Sequence, residues 1–188
     1  MRAEIVFPNS LTGTATTRRG FVKHAALAAA GAFLSRRAHA ESRRSLAFYN
    51  LHTGESLRVD YWSEGTYTAG ALHDIDHILR DYRTGGVKEI DIRLLDLLHR
   101  LTGTLGSSEP YQVISGYRSA ATNASLRAGS DGVARHSLHV DGRAIDVRLP
   151  GVRLEDLHRA ALAQRGGGVG YYPSSAFVHV DTGRVRAW

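Results

Sequence analysis

Between Ser137 and Gly151 the chain reads SLHVDGRAIDVRLPG, with His139 seven residues before Asp146 and small residues between them. Gly142 and the β-branched Ile145 and Val147 disfavour a helix, so the segment reads as a loop leading into a strand. In GRAIDV, alternation sets Ala144 and Asp146 on one strand face and Ile145 and Val147 on the other. FVHVD alternates in the same way, with Phe177, His179 and Asp181 against Val178 and Val180. An ionisable group on a short apolar strand is costly to bury unless it is paired or ligated. Two polar strand faces and one loop histidine can converge as a His2Asp set, leaving a fourth position for water, the pattern of a catalytic zinc site. Ordinary buried polar pairs would use the same residues.

A competing motif is HDIDH, His73 to His77, two histidines four apart on one helix face. It resembles the zincin HExxH, but aspartate replaces the glutamate base and reaches less far toward a bound water. No third ligand follows in a helical context, so a polar surface face is the simpler expectation. His99 and His158 fall within amphipathic helical patterns and His52 lies beside a turn. The glycines from Gly166 to Gly170 lack the Lys and Ser/Thr of a phosphate loop. They are expected to permit tight backbone geometry at a cleft edge, with Tyr171 or Tyr172 lining it.

Positioning these groups falls to a chain of 188 residues, enough for one domain with a real core. Its formal charge of +6 is concentrated in residues 1–40, which carry a net +5 and leave residues 41–188 near balance at +1. No basic cluster interleaved with aromatics remains there, which argues against nucleic acid as a partner. The leader reads as an export signal. TTRRGFVK, Thr16 to Lys23, resembles the twin-arginine pattern, AALAAAGAFL follows, and Ala38-His39-Ala40 offers a signal-peptidase site. The apolar run is about half of what spans a bilayer, so no permanent membrane anchor is expected. The chain has no cysteine, so any metal must be held by His, Asp and Glu.

Beyond the leader, Leu46 to Trp62 reads as a β-hairpin around Thr53-Gly54. Helices are predicted for ALHDIDHILRDYR from Ala71, for EIDIRLLDLLHRLTG from Glu89, around Ala120–Arg127, and for LEDLHRAALAQR from Leu154. YQVIS, GRAIDVRLP, VGYY and AFVHVDTG are predicted strands. The order lacks a regular βαβ rhythm and predicts an α+β domain, residues 41–188, with a central antiparallel sheet flanked by helices.

SxHxxGxAxD from Ser137 to Asp146, SGYRS from Ser115 to Ser119, and the late FVHVDTG together resemble the D-alanyl-D-alanine carboxypeptidase and murein endopeptidase family of zinc peptidases, which share the hedgehog-type fold. The likeness runs from Leu46 to the C-terminus, including ILRDYRTGG and RLLDLLHRL, and is closest to the exported murein endopeptidase branch. It implies zinc (Zn2+) bound by His139, Asp146 and His179, and a substrate-facing Arg118 within a binding segment that includes Ser115 and Tyr117. Peptidoglycan peptide stems would be the substrate, the periplasm the location, and the twin-arginine translocase the export partner. Some relatives place a glutamate base three residues before the third ligand, where this chain has Ala176. Asp181, on the strand face of His179, is the first candidate for that proton transfer and His136 the second; Asp181 could equally orient His179. A carboxypeptidase or dipeptidase, and a zinc-containing wall-binding module without catalysis, are the alternatives.

Overall fold

The hairpin forms as β1 (Arg43–Asn50) and β2 (Ser56–Ser63), paired antiparallel, with the two-residue β3 (Thr66–Tyr67) added outside β2. The computed structural model describes residues 43–129 and 134–188; the leader and its processing site lie outside the described residues. Four helices follow the order expected: α1 (Ala69–Ile78), α2 (Ile92–Leu105), α3 (Ala120–Gly129) and α4 (Leu154–Gln164). The remaining strands are β4 (Tyr111–Ser115), β5 (Ala144–Arg148), β6 (Gly168–Tyr172), β7 (Phe177–Asp181) and β8 (Arg186–Ala187).

All eight strands join one sheet in the order β3-β2-β1-β4-β5-β7-β6-β8. The domain is α+β, and most of its strand pairs are antiparallel. Two joints are parallel, β1 with β4 and β6 with β8. A parallel neighbour needs a long return connection, and the segment carrying α1 and α2 supplies it between β1 and β4.

Leu94, Leu95, Leu97, Leu98 and Leu101 line the buried face of α2; the helical spacing of the sequence marks Ile92, Leu95, Leu98 and Leu101, of which Ile92 is only half-buried. They share a core with Leu157 of α4 and with Ile145, Val147, Val178 and Val180, all fully buried on β5 and β7. Asp91 caps α2 by accepting from the Arg93 amide. The helix predicted through Arg83 stops at Ile78. Its would-be last turn is instead bent around Asp81, a buried carboxylate accepting from the amides of Arg83 (3.0 Å) and Ser119 (2.9 Å). Two loops are thereby tied together beside the sheet.

Candidate metal centre

The sheet register decides what meets what. Ser115 on β4 stands opposite Asp146 on β5, Asp146 opposite His179 on β7, and His179 opposite Gly170 on β6. The four form one row across the sheet on the face away from Ile145 and Val147. An irregularity between Val113 and Ser115 shifts the β4 register and brings Ser115 into that row.

His139 enters from the loop before β5 and is 1% exposed. The loop can fold this tightly because Gly142 sits at φ 68°, where a side chain is strained, and a Cβ there would lie 2.3 Å from the Glu89 carbonyl oxygen. His139 Nδ1 lies 2.7 Å from the Gly116 carbonyl oxygen. A carbonyl can only accept, so Nδ1 carries the proton and Nε2 turns a lone pair inward. That Nε2 is 3.2 Å from Asp146 Oδ1 and 3.2 Å from His179 Nδ1, while His179 Nδ1 is 2.8 Å from Asp146 Oδ1. On its far side His179 Nε2 meets Asp181 Oδ2 at 3.1 Å. His139 Nε2, His179 Nδ1 and an Asp146 carboxylate oxygen thus converge within 4.8 Å of one another. Such a set repels itself unless a cation or a shared proton sits at its centre, and its chemistry and spacing fit a zinc ion.

The electrostatics carry the same signature. Burial lowers the pKa of His139 below the ordinary imidazole value, which disfavours its charged form. Burial alone would raise the Asp146 carboxyl, but the adjoining His139 and His179 outweigh it and hold it well below the usual carboxylate range. Burial likewise opposes a charge on His179, yet its contacts with Asp146 and Asp181 raise it overall. A cation at this point would replace the proton that the two carboxylates draw in.

The cleft over this cluster is lined by His136, Ser137, Leu138, Tyr172, Phe177 and Trp188. Arg118 reaches in from the loop after β4, its Nη2 donating to Asp146 Oδ2 at 2.6 Å and its Nε to Ser115 Oγ at 2.8 Å. Its backbone amide also donates to the His139 carbonyl oxygen, 3.2 Å away.

Several sequence expectations are redirected. Ser115 anchors Arg118 rather than lining the cleft. Tyr117 packs against the core, its amide donating to the Leu79 carbonyl. Tyr171 is not a cleft residue: it stacks on His158 at 4.7 Å and donates to Glu155. Gly170 shares a face with His179, so alternation gives Tyr172 that face and Tyr171 the other. Asp181 is fully buried, accepting from the amides of Gly168 and Gly183 at 2.9 and 2.8 Å and from Arg186. Burial would raise its carboxyl, but His179, these amides and Arg186 hold it well below the usual range. His73, with a side chain 81% exposed, and His77 lie on the surface of α1, and among the described residues only His139, Asp146 and His179 form a potential metal set.

Three contributors escaped the sequence reading: Asp81, Arg186 and Trp188. Asp81 lies in ILRDYRTGG, so its segment was visible but its role was not. Nothing local marks Arg186 or Trp188, which act across strands.

A family model described as Peptidoglycan L,D-endopeptidase MepK matches residues 38–188. The chain is 49% identical over 145 residues to a protein of Escherichia coli strain K12 named Peptidoglycan L,D-endopeptidase MepK, covering 77% of this chain and 80% of that protein. It is 43% identical over 146 residues to a Haemophilus influenzae protein named Probable peptidoglycan L,D-endopeptidase MepK, covering 77% and 78% respectively.

Proposed function

We infer the function of this chain from the family to which it belongs, the peptidoglycan L,D-endopeptidase MepK family. It is a peptidoglycan hydrolase that cuts the peptide crosslinks of murein. The finer reading is a zinc-dependent enzyme of the periplasm whose target is the L,D crosslink, in which an L-centre carbonyl is joined to nitrogen on a D-centre. The observation that carries it is the convergence of His139 Nε2, His179 Nδ1 and Asp146 Oδ1 at the floor of a cleft.

His139, Asp146 and His179 would hold the metal, which when bound polarises the scissile carbonyl and acidifies a water. Arg118 keeps Nη1 without a hydrogen-bond partner among the described residues, so it can take a developing oxyanion or a substrate carboxylate while Asp146 and Ser115 fix its plane. Asp181 orients His179 rather than moving a proton. His136, exposed at the cleft wall, is the residue left to accept the water's proton and return it to the leaving amine.

Digestion of isolated sacculi, with dimeric and monomeric muropeptides separated, tests the reading. Loss of diaminopimelate–diaminopimelate dimers with matching gain of monomers is expected. Release of free D-alanine with dimers untouched would make the protein a carboxypeptidase, and no release at full zinc occupancy would make it a binding module. His136→Ala should keep zinc and lower turnover about 10²–10⁴-fold, the usual worth of a general base. Asp181→Asn should instead weaken zinc affinity about 10–100-fold, with activity regained as zinc is added. The opposite pattern would return the base to Asp181.

Export by the twin-arginine route rests on Arg18 and Arg19 in TTRRGFVK. A double Arg18→Lys, Arg19→Lys variant is expected to stay in the cytoplasm. Normal periplasmic recovery of that variant would assign the general secretory route.

A further inference from the structure

The glycines of β6 and the turn after β7 leave a slot beside the metal cluster, filled by Asp181, Arg186 and Trp188, which line the same cleft. A Cβ on Gly168 would lie 2.5 Å from both Arg186 Nη1 and Asp181 Oδ2, and one on Gly170 would lie 2.8 Å from the Trp188 indole. At Gly183 it would lie 3.0 Å from Asp181 Oδ1 and 3.2 Å from Arg186 Nη1. Real Cβ atoms do not approach as closely as at Gly168 and Gly170, so a side chain at either would displace Arg186 or Trp188; Gly183 is also crowded, by Leu138 at 2.8 Å. Within the Gly166–Gly170 run, Gly168 and Gly170 thus meet Arg186 and Trp188, while Gly166 packs on Leu97 and Gly167 on the Asp181 backbone.

The contents of the slot form a chain of contacts that ends on a proposed ligand. Arg186 Nη2 donates to Asp181 Oδ2 at 2.7 Å and Nη1 to Oδ1 at 3.3 Å, a two-pronged grip that fixes the carboxylate plane. Gly168 and Gly183 amides occupy Oδ1. The remaining direction of Oδ2 points at His179 Nε2. Trp188 lies 4.7 Å over the Arg186 guanidinium and 5.2 Å from the His179 ring, and its Nε1 donates to the Tyr172 hydroxyl at 2.7 Å. Parallel pairing of β8 with β6 and the bond from the Trp188 amide to the Val169 carbonyl hold both residues in place.

His179 stands between two carboxylates, Asp146 at Nδ1 and Asp181 at Nε2, and its proton can serve only one of them in the neutral ring. A ligand role needs Nδ1 bare, which requires the proton on Nε2. We propose that Arg186, covered by Trp188, is a positioning residue for the metal site: by gripping Asp181 it holds His179 with Nε2–H donated to Asp181 and Nδ1 turned toward Asp146 and His139. The inference rests on the reading of these three residues as the metal site. It adds that the site is completed from the C-terminal strand, outside every motif that carries the ligands.

The test compares wild type with Arg186→Ala, Arg186→Lys and Gly168→Ala. The last intrudes on the grip from the opposite side, at a position whose φ is not in the left-handed region. Zinc affinity is measured by chelator competition. Long-range ¹H–¹⁵N spectra of the metal-free proteins report the His179 tautomer, and thermal melts report folding. Arg186→Ala is expected to lose about 10–100-fold in zinc affinity, as partners of metal ligands do, and to shift His179 away from the Nε2–H tautomer. Arg186→Lys should fall between, because an ammonium cannot supply the fork. Gly168→Ala should resemble Arg186→Ala. Folded Arg186→Ala with wild-type tautomer and zinc affinity, whatever its melting temperature, would overturn the proposal. Should that variant not fold, the same outcome in Arg186→Lys together with Gly168→Ala would overturn it. If wild type itself takes up no zinc, the metal-site reading fails first, which is a separate result.

Discussion

A His139→Ala protein is expected to emerge from zinc dialysis with almost no bound metal, against one ion per chain in wild type, and to leave murein dimers uncut. The expectation follows from what this side chain supplies. His139 is the only one of the three proposed ligands that comes from a loop, and its ring is oriented by the bond from Nδ1 to the Gly116 carbonyl. Removing it leaves a neighbouring histidine and carboxylate, two donors where a catalytic zinc site uses three protein ligands. The loss of affinity should exceed the ~10–100-fold typical of residues that only orient a ligand. Alanine also empties a buried volume and strips the Gly116 carbonyl of its donor, so a lower melting temperature is expected in the metal-free state as well. Metal content must therefore be measured on protein shown to be folded. His73→Ala and His77→Ala, on the exposed face of α1, should retain full zinc and full hydrolysis. Full occupancy in folded His139→Ala would remove the model of the site altogether.

Arg118→Ala is expected to lower turnover on crosslinked muropeptides by about 10²–10³-fold at saturating zinc, the usual cost of removing an oxyanion donor. The structure adds a second effect. Asp146, 4% exposed, takes its hydrogen bond from Arg118 on Oδ2 while Oδ1 faces the two histidines. Without Arg118 this buried carboxylate loses its guanidinium partner, so zinc affinity should also fall, and an assay at limiting zinc would confuse the two. Titrating zinc separates them: metal addition should restore occupancy but leave the rate low. Arg118→Lys should keep more of the zinc affinity than of the rate. The ammonium supplies charge to Asp146 but cannot hold Ser115, Asp146 and a substrate oxygen at once. A wild-type rate for Arg118→Ala at full occupancy would reduce Arg118 to a structural partner of Asp146.

Much of this site was written in local pattern. The period-two alternation of GRAIDV and FVHVD assigns Asp146 and His179 to polar strand faces whatever the rest of the chain does, because side chains on a strand must alternate. The helical spacing of Leu95, Leu98 and Leu101 likewise assigned the buried face of α2, and Gly142 marked a turn. The absence of cysteine constrains ligand type by composition alone. Family likeness rested on three short motifs in order, each a local property.

What pairs with what is not local. Register sets Asp146 against His179 and Ser115 against Asp146, and it depends on strands 30 or more residues apart closing together. The same register decides that Tyr172 rather than Tyr171 faces the cleft, since the two are equivalent until Gly170 is known to stand opposite His179. Asp181 could be read from the sequence as base or anchor alike. Only the fold adds Arg186 and two backbone amides to its carboxylate. HDIDH was ambiguous for the converse reason: spacing of four places two histidines on one helix face, but whether that face meets the core or water is settled by packing. The sequence alone determined which side chains could bind a metal and which way each strand turns them, because those are short-range steric rules. Which of them share one centre, and what holds them there, was decided by the tertiary structure, because contacts between distant strands exist only once the chain has closed.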